Sequence, residues 1–494
     1  MGSKYSKNFD EKWPVSQLEF TTFGRKLLSE CTNIKKPIPL SLDEINKNSA
    51  HFPVRFPIDT CRVAFQPKDR WDAVQEQAAS AYPVVHERVV WLMLRFLEHK
   101  VQHGSRFEKG IYRGMSLTEL VQRLLTKRCV TFVGPLDRYY LITGERGTSG
   151  FESIGTDAEV PPLILGNCIS YDEMKLSAFL SVSSHSEFIN NGSRGNCGVI
   201  EANKDNIERS GVVMGLIGPR ICERRGVMEY QDLIISQKQN VPENGYGSKN
   251  TENDNKHDYR KIWDIFYEKE SFLFEDVSVD GKRFGFCNFK KDILDHVVLK
   301  KRYAISFETL LLESDARADA CKKRAYIHVV GIGLGAWQAA IQQEEIFLLT
   351  FGERLKALLP KLKHVAFVHF AWFHLTECGG VKDGGFLKCS DHPEGGIRIF
   401  ISKRNPADKL RGPELEDTLI IESYAWDSNA QPGNEFWMGS LYTSGDPAAA
   451  CSTLITELHN GYINKTMVSG ENLHVASPDF GVLHIADYAR LKIH

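Results

Sequence analysis

The chain has 494 residues, of which 42% are hydrophobic, 25% charged and 11% aromatic, a composition that excludes a fibrous, collagen-like or wholly disordered protein. Its 61 Lys and Arg against 63 Asp and Glu leave a formal charge of −2, so neither a basic nucleic-acid binder nor an acidic tail is indicated. The longer apolar runs, at 325–330 and 365–373, stop well short of the roughly 20 residues that span a bilayer.

Taken from the start, MGSKYSK lacks the apolar segment of a signal peptide but fits the Gly2/Ser6 pattern of N-myristoylation, with lysines alongside. Eleven cysteines, odd in number and without a CxxC pair, suit a reducing compartment, and the expected location is cytoplasmic; the Gly2 pattern is either an accidental match in a frayed start or a myristoylation site, whose single chain gives only marginal membrane association. Residues 1–60 are polar and punctuated by proline, and read as an arm draped over a core. A helical segment, 61–110, follows. Val74, Ala78, Val85, Val89, Met93 and Phe96 recur at helical spacing, and Pro83 is expected to divide the run into two helices.

Residues 111–300 are β-rich, with strands expected at 130–133, 139–143, 179–182, 198–201, 212–217 and 233–235. Within this region 237–256 is polar and lacks Leu, Ile and Phe, which predicts a disordered loop. From 301 to 494 apolar strands (325–330, 365–370, 397–401, 417–424, 473–476, 482–485) alternate with helices (337–359, 447–459). That order predicts an α/β fold with a largely parallel sheet, whose ligands bind beyond the carboxyl ends of the strands.

Four constellations could carry chemistry. Gly331-Ile332-Gly333-Leu334-Gly335-Ala336-Trp337 follows a strand and opens toward a helix, so its bare backbone and the helix N-terminus suit a diphosphate. In that helix Glu344 falls on the stripe Trp337, Ile341, Leu348 and Leu355, where a carboxylate needs either a hydrogen-bonded loop or a ligand. The densest cluster is 426–437, WDSNAQPGNEFW, followed by Thr443-Ser444-Gly445-Asp446-Pro447. It offers Asp427, Glu435 and Asp446 as acids, Asn429 and Asn434 for hydroxyls, and aromatic walls that include Phe436, which together suit a ribose. Asp446-Pro447 also reads as a helix cap with proline at the first helical position. A third set, His374, Cys378, Cys389 and His392, has zinc-ligand chemistry but matches no common spacing, and a glycine-rich hairpin is the favoured reading. The fourth, Arg113, Ser183 and Glu229, resembles the Arg-Ser-Glu arrangement of mono-ADP-ribosyltransferases, although Glu229-x-x-Asp232 replaces the expected Glu-x-Glu.

With the segments 331–337, 343–346, 426–437 and 444–451 assembled, the chain resembles the macrodomain-like, arginine-specific ADP-ribosylhydrolases, a family that includes the bacterial effector MavL and eukaryotic relatives. The resemblance implies a macrodomain-like mixed sheet with flanking helices over 301–494, elaborated by a large N-terminal α+β region. It also implies removal of ADP-ribose from protein arginines, ubiquitin among them, with no cofactor or obligatory metal and no nucleic-acid partner. Asp427, Glu435 and Asp446 are carried over as the acids near the distal ribose, with Gly331, Gly333, Leu334, Gly335, Trp337, Glu344, Asn429, Asn434 and Phe436 around the ligand. The competing expectations are an NAD-dependent transferase using Arg113, Ser183 and Glu229, and an ADP-ribose-binding module without catalysis.

Overall fold

A computed structural model describes residues 13–221, 228–248, 255–288 and 291–493. The Gly2 and Ser6 pattern lies outside these residues. Among those described, ten strands build one mixed sheet: β1 (Tyr82–His86), β2 (Ser181–Glu187), β3 (Ser210–Ile217), β4 (Arg324–Val329), β5 (Val365–Ala371), β6 (Phe386–Lys388), β7 (Gly396–Ser402), β8 (Thr418–Trp426), β9 (His474–Ser477) and β10 (Gly481–His484). Their spatial order is β6-β7-β5-β4-β8-β3-β2-β1-β9-β10. The middle of the sheet, β7-β5-β4-β8-β3, is parallel throughout, so five carboxyl ends open on one side. Runs such as VAFVHFA in β5 are buried along their whole length, as expected of a sheet covered on both faces.

The helices include α1 (Thr22–Glu30), α2 (Leu42–Ala50), α3 (Trp71–Ala79), α4 (Glu87–His103), α5 (His296–Cys321), α6 (Gln343–Leu358) and α7 (Gly445–Ser452). The arm expected over 1–60 carries α1 and α2, which bury Leu27, Leu28 and Ile45 against the same continuous core as the sheet. The boundary drawn at residue 300 falls inside α5, and the sheet takes strands from both sides of it.

Several expectations need correction. Pro83 does lie between two helices, α3 and α4, but the break is a short strand and not a kink: Pro83 sits in β1 opposite Val182. The run 198–201 forms no strand. α6 begins at Gln343 rather than 337, and Ile341, expected on its buried stripe, is 77% exposed. The Gln343 side chain accepts from the amides of Ala339 and Ala340, which fixes 339–343 as a turn and delays the helix. The stretch expected to be disordered is structured from 237 to 248, with 249–254 outside the described residues. Its polar side chains satisfy one another and the backbone: Asn240 accepts from the Ser236 amide (3.0 Å) and donates to Phe272 O (3.1 Å). Tyr246 is buried there beneath the Arg260 guanidinium.

The sequence pattern also hides α5. This helix is buried over most of its circumference, so it shows no polar face, and its charges are paired internally: Arg302 with Glu229, Glu308 with His86 (2.8 Å) and Arg317 with Glu313 (2.7 Å). A helix enclosed on every side leaves no 3.6-residue signature.

Candidate active site

A cavity of about 770 Å³ opens over the carboxyl ends of the parallel strands, within the range of small-molecule sites. Each neighbouring strand delivers its following loop to the wall: Arg220 after β3, Gly331 to Trp337 after β4, Trp372 to His374 after β5, Asn405 and Pro406 after β7, and Asp427 after β8. The N-terminal turn of α7 closes one side with Ser444, Gly445 and Asp446.

Asp427, Glu435 and Asp446 all border this cavity. Asp427 is buried, and its Oδ1 accepts from the Asn429 amide (3.0 Å). Asp446 does not cap α7. Ser444 is the capping residue, and Asp446, inside the first turn, accepts from the Gly433 amide (2.7 Å) while its Oδ2 is buried without a partner among the described residues. The Ser444 hydroxyl donates to Glu435 (3.3 Å). Burial raises the proton affinity of all three acids and is the main reason Asp446 stands well above the usual carboxylate range; the charges add to it, Asp427 raising Glu435 and Glu435 raising Asp446. Arg220 and Arg128 oppose the effect at Asp427. Three carboxyl groups with displaced and mutually dependent proton affinities in one cleft are a functional signature, because acid and base roles at neutral pH need such tuning.

The loop is held by the two asparagines. Asn434 accepts from the Phe132 amide (2.9 Å) and donates to Phe132 O (3.1 Å), and Asn429 lies against Cys129, accepting from its amide (3.4 Å). Asn434 adopts φ 39°, a backbone state asparagine tolerates. Asn429 and Phe436, expected to touch ligand, sit behind the cavity wall: both are fully buried, and Phe436 packs edge-on against Trp437.

Of the glycine-rich segment, Gly331, Gly333, Leu334, Gly335 and Trp337 all border the cavity. Its glycines answer to different needs. Gly333 has φ 78°, and a Cβ there would lie 2.8 Å from Pro219 Cδ, whereas a Cβ on Gly335 would meet nothing within 4 Å. Gly333 thus serves packing as well as the cavity, and Gly335 leaves its backbone open. Glu344, also on the wall, accepts from the amides of His374 (2.7 Å) and Leu375 (2.8 Å) and faces His374 Nδ1 (3.0 Å). Burial pulls its proton affinity up, but these hydrogen bonds prevail and hold it below the usual range. It orients the segment after β5 at the cavity mouth.

Of the other constellations only His374 borders the cavity. His374 is exposed beside Glu344, Cys378 contacts Leu348 O, and His392 pairs with Val365 O. Among the described residues no three His, Cys, Asp or Glu are grouped to hold a metal. Arg113, Ser183 and Glu229 do not border the cavity; Glu229 is spent on Arg302 and the Arg220 amide. The sequence reading missed Arg128, Arg220, His328 and Glu422. Arg220 follows an expected strand, and Glu422 is an acid inside the apolar run LIIESYAW, so both had a visible signal.

A mixed sheet flanked by helices, with a glycine-rich loop and buried acids meeting over its parallel strand ends, defines an α/β protein with a ligand-sized cavity at that edge. The family model for MavL-like ADP-ribosylhydrolases matches residues 43–491, and the chain belongs to that family. It is 49% identical to the fruit-fly (Drosophila melanogaster) protein named ADP-ribosylarginine hydrolase CG2909, over 99% of this chain and 98% of the relative. A second fruit-fly protein, ADP-ribosylarginine hydrolase CG3568, is 52% identical over 97% of this chain and 95% of its own length.

Proposed function

We propose that this protein hydrolyses the N-glycosidic bond between ADP-ribose and arginine side chains of proteins. The observation that carries the reading is the convergence of Asp427, Glu435 and Asp446 on one cavity beside the glycine-rich loop. Water adds to C1″ of the distal ribose as the bond to the guanidine nitrogen breaks, and a proton passes from that water to the leaving guanidine. The ring carries positive charge on the way, which buried carboxylates stabilise. We assign Asp427 and Glu435 to activating water and orienting the leaving group, and Asp446 to the ribose hydroxyls or the arginine, with the unpartnered Asp446 Oδ2 available for that contact. The backbone of Gly333 and Gly335 would lie along the diphosphate.

The names of both fruit-fly relatives support arginine as the linkage, and a cationic leaving group suits an acidic site. Arginine-modified ubiquitin is included as a substrate in this proposal, as is a cytoplasmic setting with a myristoyl group on Gly2, which mass spectrometry of the N-terminal peptide tests. Among the described residues no helix is long and apolar enough to cross a membrane.

The test is to present arginine-linked and glutamate-linked ADP-ribosyl protein, and separately NAD with an acceptor protein. Release of ADP-ribose from the arginine linkage supports the reading. Transfer from NAD without any release, or binding without release, would replace it.

A further inference from the structure

The acid end of the cavity opens between two lips that the proposed chemistry leaves unused. Asp427 and Asp446 are buried, whereas Glu435 is partly exposed, so the mouth lies beside it. One lip is the loop from the short helix Asn434–Met438 to α7. It is closed at its base, where the Ser440 amide donates to Glu435 O (3.1 Å) and the Ser444 hydroxyl to the Glu435 carboxyl (3.3 Å). Its tip carries Met438 and Tyr442, 44% and 68% exposed. The other lip is the turn 133–136. Val133 and Gly134 border the cavity, the preceding Phe132 is bonded to Asn434, and Leu136 at the tip is 62% exposed. In a chain of which 25% is charged, no charged residue occurs from 132 to 136 or from 436 to 445.

We infer that these lips are a docking surface for the polypeptide that carries the modified arginine, and that they take an apolar or aromatic side chain standing close to that arginine in its sequence. The inference rests on the function proposed above and adds to it how the protein part of the substrate is chosen.

Connectivity decides what covers the lips. The scissile bond joins C1″ to the arginine, so with the distal ribose at the three acids the arginine points outward past Glu435, and the backbone that bears it crosses the lips. Their chemistry decides which chains they select. Exposed Tyr and Met are enriched where a protein partner covers them, and the Lys, Glu and Asp that such surfaces lack are missing here too. A Tyr ring offers a large contact area with few torsions to fix, and Met adapts its shape to differing neighbours. The acids behind the lips attract the cationic arginine, while the uncharged lips add no preference for charge in the flanking residues. Recognition of the cation thus falls to the cavity, and recognition of its neighbours in the polypeptide to the rim.

The experiment measures steady-state hydrolysis of a protein ADP-ribosylated on arginine, and of free ADP-ribosyl-arginine, by wild type, Tyr442→Ala, Tyr442→Phe and the double variant Met438→Ser/Tyr442→Ala. On the protein substrate Tyr442→Ala is expected to raise KM roughly fivefold to thirtyfold at unchanged kcat, the double variant further, and Tyr442→Phe by no more than about twofold. All should cleave free ADP-ribosyl-arginine as wild type does. Equal effects on both substrates, or none on the protein, would overturn the docking surface while leaving the hydrolase intact. A second readout needs no variant: wild type should show a lower KM for a peptide with Leu or Phe beside the modified arginine than for one flanked by Ser and Gly, and equal values would overturn the inference. A wild-type dimer, seen by sedimentation, that Tyr442→Ala dissociates would make the lips an interface between copies of this chain and likewise end it. Wild-type protein that releases ADP-ribose from neither substrate would overturn the hydrolase reading itself.

Discussion

Asp446 and Gly433, thirteen residues apart, are joined by a 2.7 Å hydrogen bond from the Gly433 amide to the Asp446 carboxyl. That bond fastens the acid-bearing loop after β8 to the first turn of α7, so that two segments of chain move as one wall. Asp446→Ala is therefore expected to lower turnover by disordering the placement of Glu435 as well as removing a charge. Its melting temperature should change little. The lost hydrogen bond, about 1 kcal/mol, is offset by relief of a buried acid held well above its usual range. A drop in melting temperature that accounts for the whole loss of activity would show that the residue only supports the fold.

Asp427→Ala and Glu435→Ala separate chemistry from binding. Groups that act in the transition state reduce kcat by orders of magnitude and change ADP-ribose affinity far less. Steady-state kinetics alongside calorimetry measure both. Wild-type rates in both variants would place the chemistry elsewhere in the cavity.

Stability should depend on pH in a defined direction. Asp427, Glu435, Asp446 and Glu422 all bind protons more readily in the fold than an ordinary carboxyl does. A raised folded value means that the contribution to stability is complete below the unfolded carboxyl range, near ~4, and is lost as pH rises through the folded values, Glu422's being about 8. Urea denaturation of wild type and Glu422→Gln from pH 4 to 9 should show the variant gaining relative stability between about pH 5 and 8, then levelling. A difference that is flat with pH contradicts the assignment.

The glycine-rich loop offers a contrast between neighbours. Gly333→Ala introduces a Cβ at φ 78° and 2.8 Å from Pro219 Cδ, while Gly335→Ala meets nothing within 4 Å. The first should lower the melting temperature, by on the order of 1–3 kcal/mol of stability. The second should melt like wild type, and any weaker binding of ADP-ribose by it reports ligand contact alone.

How far the sequence could be read follows from what each segment must satisfy. β4, β5, β7 and β8 were legible because continuous apolar runs of strand length admit few other structures. Asp427, Glu435 and Asp446 could be picked out because acids were crowded among aromatics beyond a strand, and the structure brings all three to one cavity. α5 was invisible because burial on every side erases periodicity. The segment 237–248 misled because its order comes from polar side chains such as Asn240 bonding to backbone, which composition does not reveal. Asn429 looks like a ligand contact in sequence but is directed to Cys129, and Asn434, which does border the cavity, is also tied to Phe132, neighbours some 300 residues away in the chain that no local pattern discloses.

The central claim is that Asp427, Glu435 and Asp446 surround a single sugar ring. A crystal of the inactive Asp427→Ala protein soaked with ADP-ribose tests it most directly. The account predicts the distal ribose between positions 427, 435 and 446, its C1″ facing Glu435, with the diphosphate along Gly333 and Gly335. A distal ribose bound away from those three positions, or nucleotide bound outside the cavity, would contradict it.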